Sequence, residues 1–313
     1  MRFNRRKFLV LGGLASLSFV GLWEFVKNLV GQRAHSTIPP IAPAVPGAQI
    51  PSQKPLLRFV AIADAGAGDH NQNAVAQAMT RYHQQFPYSL VVMAGDNIYN
   101  DGEISRIGVA FEQPYQALLG QDVKFRACLG NHDIRTDNGN SQLRYPGYNM
   151  AGRFYTFREK TVQFFVLDTN VNADWQGQLT WLKQELSRST APWKVVFGHH
   201  PIYSSGRYGT NPEFVKVLSP LFKQYGVQLY INGHEHNYER TRPIDGTTYL
   251  ITGNAGASLR QVGRSEWTAH SNSLYGFTAL EVRSDHIEVK AIAATDELFD
   301  RGIIPITTRI LTQ

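Results

Sequence analysis

The chain has 313 residues, enough for one large domain or two small ones. Its 42% apolar and 18% charged residues fit a folded globular protein and exclude a disordered one. The net charge of +6 makes no case for nucleic-acid binding, because residues 1–35 alone carry +5 (Arg2, Arg5, Arg6, Lys7, Lys27 and Arg33 against Glu24).

That basic segment opens the chain. Arg5 and Arg6 stand just before Phe8, and an apolar run broken only by Gly and Ser extends to Trp23. A basic stretch followed by an apolar one reads as a secretory signal. Paired arginines ahead of Lys-Phe-Leu are similar to twin-arginine signals. This predicts export to a periplasm, lumen or cell surface, with the twin-arginine export machinery as partner. That route carries folded proteins with cofactors in place, which suits a metalloprotein. The alternative is a retained membrane anchor over residues 8–26, although the run is short of the roughly 20 residues a span needs. Residues 36–55 hold Pro39, Pro40, Pro43, Pro46, Pro51 and Pro55 and read as a stiff extended linker. With a signal or anchor over 1–35 and the linker over 36–55, one folded domain is expected over 56–313.

The domain alternates short apolar runs with amphipathic ones. LLRFVAIAD reads as a buried strand. NQNAVAQAMTRYHQQF (71–86) has helical spacing of Ala74, Val75, Ala78, Met79 and Tyr82. Strand YSLVVMAGD, helix FEQPYQALLG and strand VKFRACLGNHD follow. Cys128 in the last is the only cysteine, so no disulfide forms within the chain, and a small buried side chain is expected. RFYTFRE and VQFFVLDT predict a hairpin. WQGQLTWLKQELSRS predicts a helix and WKVVFGHH a strand. NPEFVKVLSPLFKQYG predicts one helix, with Asn211 as N-cap and Pro212 at its first position. VQLYINGHEH, TTYLITGN, GFTALEVRS and HIEVKAIA predict strands. The chain is therefore α/β.

Its polar motifs sit at the C-terminal ends of these strands: Asp64, Asp96, Asn131 with His132, His199, and His234 with His236. Functional groups in open α/β sheets gather at that edge. On a strand, residues two apart point the same way, so His234 and His236 are expected to aim two imidazoles at one point. Imidazole is a common ligand for zinc, iron, copper and nickel.

The texts DAG (64–66), GDNIY (95–99), GNHD (130–133), GHHP (198–201) and GHEH (233–236) resemble, in order, the motifs of the calcineurin-like metallophosphatases. D-x-G rather than D-x-H at the first motif, with Tyr99 three residues after Asp96, resembles the purple acid phosphatase branch of tartrate-resistant type. The resemblance implies a four-layer sandwich of two facing mixed β-sheets flanked by helices. It implies Fe(III) held by Asp64, Tyr99 and His236. It implies a divalent Zn, Fe or Mn held by Asn131, His199 and His234, with Asp96 bridging. The implied activity is hydrolysis of phosphomonoesters, a small phosphorylated substrate being attacked by a metal-bound hydroxide. His132 is implied as catalytic and as a phosphate contact, with Asp133 orienting its imidazole. The alternatives are a phosphodiesterase or nucleotide hydrolase on the same core, and a metal-binding protein without catalysis.

One departure concerns the fourth motif. Purple acid phosphatases often carry a further histidine about nine residues after its GH, and here Tyr208 stands there. A phenol can donate a hydrogen bond but is a poor proton shuttle in acid, so the pH optimum is left open by the resemblance. Arg207 and Tyr208 are expected to bind substrate. His200 is expected to face the other side of the strand, and Glu235 to point away from the site. His70, His83 and His270 are expected at the surface or in loops, and Asp168 as a fold support. Arg260, Arg264 and Trp267 in loop 257–277 are candidates for the substrate mouth, a solvated loop being the more common case.

Overall fold

The computed structural model of the chain describes residues 54–306, all within the unit Ser52–Gln313. The expected signal or anchor and most of the proline-rich linker lie outside the described residues. No helix among the described residues is long and apolar enough to cross a membrane.

Among the described residues, thirteen strands form two mixed sheets. The six-stranded sheet has the order β13-β12-β11-β1-β2-β3. Its strands are β1 (Leu57–Ile62), β2 (Leu90–Met93), β3 (Lys124–Ala127), β11 (Gly276–Val282), β12 (His286–Ala293) and β13 (Leu298–Pro305). The seven-stranded sheet has the order β10-β8-β9-β7-β6-β5-β4. It comprises β4 (Tyr155–Glu159), β5 (Val162–Val166), β6 (Trp193–Phe197), β7 (Leu229–Asn232), β8 (Tyr238–Thr241), β9 (Thr248–Thr252) and β10 (Thr268–Asn272). β4 and β5 form the expected antiparallel hairpin, Tyr155 opposite Val166.

Period-two alternation sorts the apolar side chains into layers. Phe59, Ala61, Leu90 and Val92 of one sheet meet Phe164, Val195, Phe197 and Ile231 of the other in a shared core. Phe59 and Phe164 pack edge to face across it at 5.2 Å, and each such buried ring contributes roughly 1.5–3 kcal/mol. The alternate residues face outward. Val60, Ile62 and Val91 pack under helices α1 (His70–Gln85) and α2 (Gln113–Leu119). Phe165, Val196 and Tyr230 pack under α3 (Trp175–Arg188) and α5 (Ser219–Tyr225), the latter preceded by α4 (Pro212–Val217). The four layers expected from the resemblance are present, and Cys128 is buried in the shared core.

Three differences have physical causes. The single helix expected over 211–226 breaks at Leu218, because Pro220 offers no N–H to the helix and its ring crowds the preceding turn. Asn211 still caps its start, accepting from the N–H groups of Glu213 and Phe214. Strands β8, β10 and β13 are too polar to be read from periodicity: β8 and β13 form by pairing with the more apolar β9 and β12, and β10 adds at the edge beside β8. His83 is buried rather than exposed, with Nε2 on the Tyr88 carbonyl at 3.0 Å.

Asp300 of β13 ties the two sheets together. It accepts from Tyr238 Oη at 2.6 Å and from Arg240 Nε and Nη2 at 2.7 and 2.9 Å, both on β8. Burial opposes its ionisation, but these donors hold its carboxyl below the usual carboxylate range. The ionised form is thus favoured by folding. Its contribution is full above the unfolded carboxyl's pKa of about 3.9 and is lost as pH falls through the lower folded value. Asp300→Asn is expected to cost about 3 kcal/mol at pH 7 by urea unfolding. The gap to the unaltered chain should narrow at or below about pH 3.

Candidate metal centre

Each proposed donor stands just past the C-terminal end of a strand. Asp64 follows β1, Asp96 and Tyr99 follow β2, and Asn131 and His132 follow β3. His199 follows β6, and His234 and His236 follow β7. β1, β2 and β3 run parallel, as do β5, β6 and β7. The site therefore draws on both sheets, three strand ends from one and two from the other, rather than on the rim of a single sheet.

The seven side chains form two clusters of donor atoms that share one oxygen. In the first, Tyr99 Oη lies 3.0 Å from Asp64 Oδ1, 3.0 Å from Asp96 Oδ2 and 3.2 Å from His236 Nε2. In the second, Asn131 Oδ1 lies 3.0 Å from His199 Nε2 and 2.8 Å from His234 Nδ1, with the two imidazole nitrogens 3.2 Å apart. His199 Nε2 is in turn 3.4 Å from the same Asp96 Oδ2. His234 and His236 thus aim at two adjacent points, not one. The reason is that β7 ends at Asn232, and His234 sits in a turn with φ of 69°.

Backbone groups set the orientation of each donor. Asp64 and Asp96 each turn one oxygen toward the cluster. With the other, Asp64 accepts from the His234 N–H and Asp96 from the His132 N–H, both at 2.9 Å. His199 Nδ1 lies 3.0 Å from the Ala94 carbonyl and His236 Nδ1 2.9 Å from the Ser258 carbonyl. Each Nδ1–H donates there, leaving Nε2 free to act as a ligand. Asp64, Asp96 and His234 all adopt left-handed backbone, uncommon outside glycine and concentrated at functional sites. Two glycines make the space. A Cβ at Gly130 would lie 2.2 Å from Asp96 N and Oδ1, and one at Gly95 2.6 Å from His199 Nδ1.

Burial dominates the electrostatics. It pushes the Asp64 carboxyl up to about 7 and the Tyr99 phenol well above its ordinary value, the neighbouring carboxylates adding to the latter. It pushes His234 down to about 2 and His236 down to about 4, which keeps both imidazoles neutral. His199 and Asp96 are the exception. Burial opposes both charges, yet their proximity raises His199 to about 9 and holds Asp96 below the carboxylate range. Asp64 and Asp96 take their hydrogen bonds from Tyr99, backbone N–H groups and imidazole, not from lysine or arginine. A buried cluster of acidic oxygens and imidazoles is the chemistry of a cation site. The set with two carboxylates and a phenol suits a hard ion, and the set with two imidazoles and an amide suits a borderline divalent one.

Around this centre several residues differ from their sequence reading. Asp133 does not face the His132 imidazole. Its fully buried carboxylate accepts from the N–H groups of Asn97, Ile98 and Gly130 and from Gln142 Nε2, bracing the turns that carry Asp96 and Asn131. Its place is structural rather than catalytic. The His132 ring is held instead by the Asn100 carbonyl at Nδ1 and by Arg135 Nη2, 3.3 Å from Nε2. His132 Nε2 stands 4.0 Å from Asp96 Oδ2. His200 does not face away: its ring lies 4.9 Å from that of His199 and 4.6 Å from that of His234, with Nδ1 on Thr169 Oγ1.

At the mouth, Tyr208 stacks on His234 with ring centres 4.4 Å apart. The guanidinium groups of Arg207 and Arg260 lie 5.9 and 5.3 Å from the Tyr208 ring centre. Arg260 also donates to the His234 carbonyl at 2.7 Å. Arg264 turns instead to the Ala269 carbonyl, and Trp267 packs on Tyr203. Asp168 is buried, paired with Arg153 and accepting from Asn170, a fold support as expected. Sequence reasoning missed Arg135, whose only signal is its nearness in the chain to the GNHD motif, and Thr169, whose only signal is its place just past the end of a strand. It also missed the carbonyls of Ala94 and Ser258, which carry no sequence signal at all.

Residues 57–238 match the calcineurin-like phosphoesterase family, and residues 246–301 match the iron/zinc purple acid phosphatase-like protein C family. The tartrate-resistant acid phosphatase type 5 of Rattus norvegicus is 28% identical over 297 residues, 80% of this chain and 90% of that one. Among solved structures, GAP50, the anchor in the inner membrane complex of Plasmodium, is similar at 25% identity with a TM-score of 0.73, covering 82% of this chain and 91% of that one. The purple acid phosphatase PPD1 of yellow lupin (Lupinus luteus) shares the fold at 18% identity with a TM-score of 0.69, covering 81% of this chain and 54% of that one.

Gly130→Ala should displace Asp96 and lower the metal bound per chain, read by elemental analysis. Gly108→Ala, where the nearest atom to a new Cβ is a side-chain nitrogen at 3.8 Å, should leave it unchanged.

Proposed function

From the chain's membership of the calcineurin-like phosphoesterase family, as a metal-dependent phosphoester hydrolase of purple acid phosphatase-like type, we propose that it is an exported phosphatase with a binuclear metal centre acting on small phosphomonoesters. The observation that carries this reading is the single oxygen, Asp96 Oδ2, shared by two adjacent donor clusters. Asp64, Tyr99 and His236 would hold a ferric ion, and Asn131, His199 and His234 a divalent zinc, iron or manganese, with Asp96 between them. Two such cations would supply Lewis acidity, lowering the pKa of water and neutralising charge on the phosphate.

The remaining work falls to side chains at the mouth. His132, standing over Asp96 with its Nδ1 on the Asn100 carbonyl, meets the phosphoryl oxygens or the leaving group. Arg207 offers a guanidinium to the phosphate. Tyr208 closes one wall beside His234 and presents its hydroxyl to the ester. Export by the twin-arginine machinery rests on the arginine pair Arg5–Arg6 and the apolar run after it, with attachment to a membrane only through that segment.

The test is turnover of an aryl phosphate monoester and its diester by the metal-loaded protein. Monoester hydrolysis should exceed diester hydrolysis. Asp96→Asn should lower it more than about 100-fold, beyond what residues that merely orient ligands command. A dominant diesterase activity, or unchanged turnover in Asp96→Asn, would sink the reading. His132→Ala should lose turnover about 100-fold or more while keeping its metals by elemental analysis. Equal turnover in that variant would remove His132 from the chemistry.

A further inference from the structure

A carboxylate with no exposure to solvent lies behind the metal centre and is not used by it. Glu235 stands between His234 and His236, turned away from both clusters. Its oxygens accept from Ser204 Oγ at 3.2 Å, from the Arg207 N–H at 3.0 Å and from the Tyr208 N–H at 2.6 Å. Gly206 sits so close that a Cβ there would lie 2.6 Å from Glu235 Cδ. Glu239 on β8 takes the next residue in the same way, accepting from Ser205 N at 2.7 Å and Ser205 Oγ at 2.6 Å.

The segment 204–208 is itself neither helix nor strand. It rests on two buried carboxylates and on the 263–268 stretch, where the Gly263 N–H donates to the Ser205 carbonyl at 3.0 Å and the Ser265 N–H to Ser205 Oγ at 3.0 Å, and its side chains at the mouth are Arg207 and Tyr208. A hydrogen bond to an ionised acceptor is roughly twice as strong as one between neutral groups. The two N–H bonds from Arg207 and Tyr208 to Glu235 anchor the backbone that carries those side chains. With them made, the half-exposed Tyr208 ring lies over His234, tilted 28° from it, and the Arg207 guanidinium stands beside that ring.

We propose that Glu235 is a positioning residue for the substrate. Its carboxylate clamps the 204–208 loop so that Arg207 and Tyr208 form the wall of the substrate mouth beside the second cluster. Its effect falls on substrate binding, not on metal retention or the chemical step. This rests on the phosphatase reading above and adds to it the means by which the motif's central residue acts on the mouth. The glutamate of GHEH is thus the link between a metal-binding turn and a recognition loop distant in sequence.

The experiment uses the full metal-loaded chain and Glu235→Gln, which keeps the shape but removes the charge and one acceptor. Expected are a rise in KM for an aryl phosphate of about tenfold, with kcat and metal content within twofold. The Kd of inorganic phosphate by calorimetry should weaken in the same proportion. Trypsin should cut after Arg207 faster in Glu235→Gln than in the unaltered chain. In a chain already carrying Arg207→Ala and Tyr208→Ala, which should itself show the raised KM, adding Glu235→Gln should change KM no further. Loss of metal, a fall in kcat at constant KM, an unchanged rate of cleavage, or additive effects in the combined variant would each overturn the proposal. If the unaltered chain hydrolysed no ester, the functional reading would fail, while phosphate binding and cleavage after Arg207 would still report on the clamp.

Discussion

One carboxylate constrains the whole site. Asp96 Oδ2 must face Tyr99 and His199 at once while Oδ1 accepts from the His132 N–H. Meeting those demands puts Asp96 in left-handed backbone, with φ of 52°. It also brings Asp96 N and Oδ1 within 2.2 Å of where a Cβ at position 130, in the turn after β3, would be. Glycine at 130 and at 95 is the answer to crowding, and the texts GD and GN follow from it. The oxygen shared by the two donor clusters would hold two cations at short range, and the surrounding backbone holds that oxygen.

The shared core makes this arrangement reproducible. Donors from β1, β2 and β3 meet donors from β6 and β7 only because the two sheets pack face to face through Phe59, Phe164, Val195 and Ile231. Further ties span the sheets. The Ala63 N–H donates to the Thr252 carbonyl near the site, and Asp300 joins β13 to β8 farther along. Close packing transmits small shifts rather than absorbing them. A change in sheet spacing would therefore move His199 relative to Asp96, a contact of 3.4 Å.

Buried acids beyond the ligands serve as braces. Asp133 gathers the N–H groups of three residues behind Asp96, Asp168 pairs with Arg153, and Glu235 and Glu239 hold the 204–208 segment. Each carboxylate is satisfied by hydrogen bonds, which is what makes its burial tolerable. They differ in what they hold: turns of the metal centre for Asp133, Arg153 and the Asn170 turn for Asp168, and the mouth for Glu235 and Glu239. Acidic residues near a metal motif therefore need not be ligands, and their partners rather than their positions in the chain tell them apart.

The sequence by itself determined the α/β class, most strands and helices, and the set of side chains that meet. Apolar periodicity and strand-end motifs are local signals, and an N-cap such as Asn211 acts within three residues. Polar strands β8, β10 and β13 escaped it, since their pairing depends on neighbours far along the chain. Orientation escaped it as well. Asp133, one residue from His132, could face the imidazole or the backbone, and His200 could face either side of its strand end. Only the tertiary structure decided these, because orientation past a strand end is set by the turn's φ and by the groups the turn packs against. The same holds for His234 and His236: their spacing told that they belong to one site, and the left-handed turn at His234 decided that they serve two neighbouring points within it.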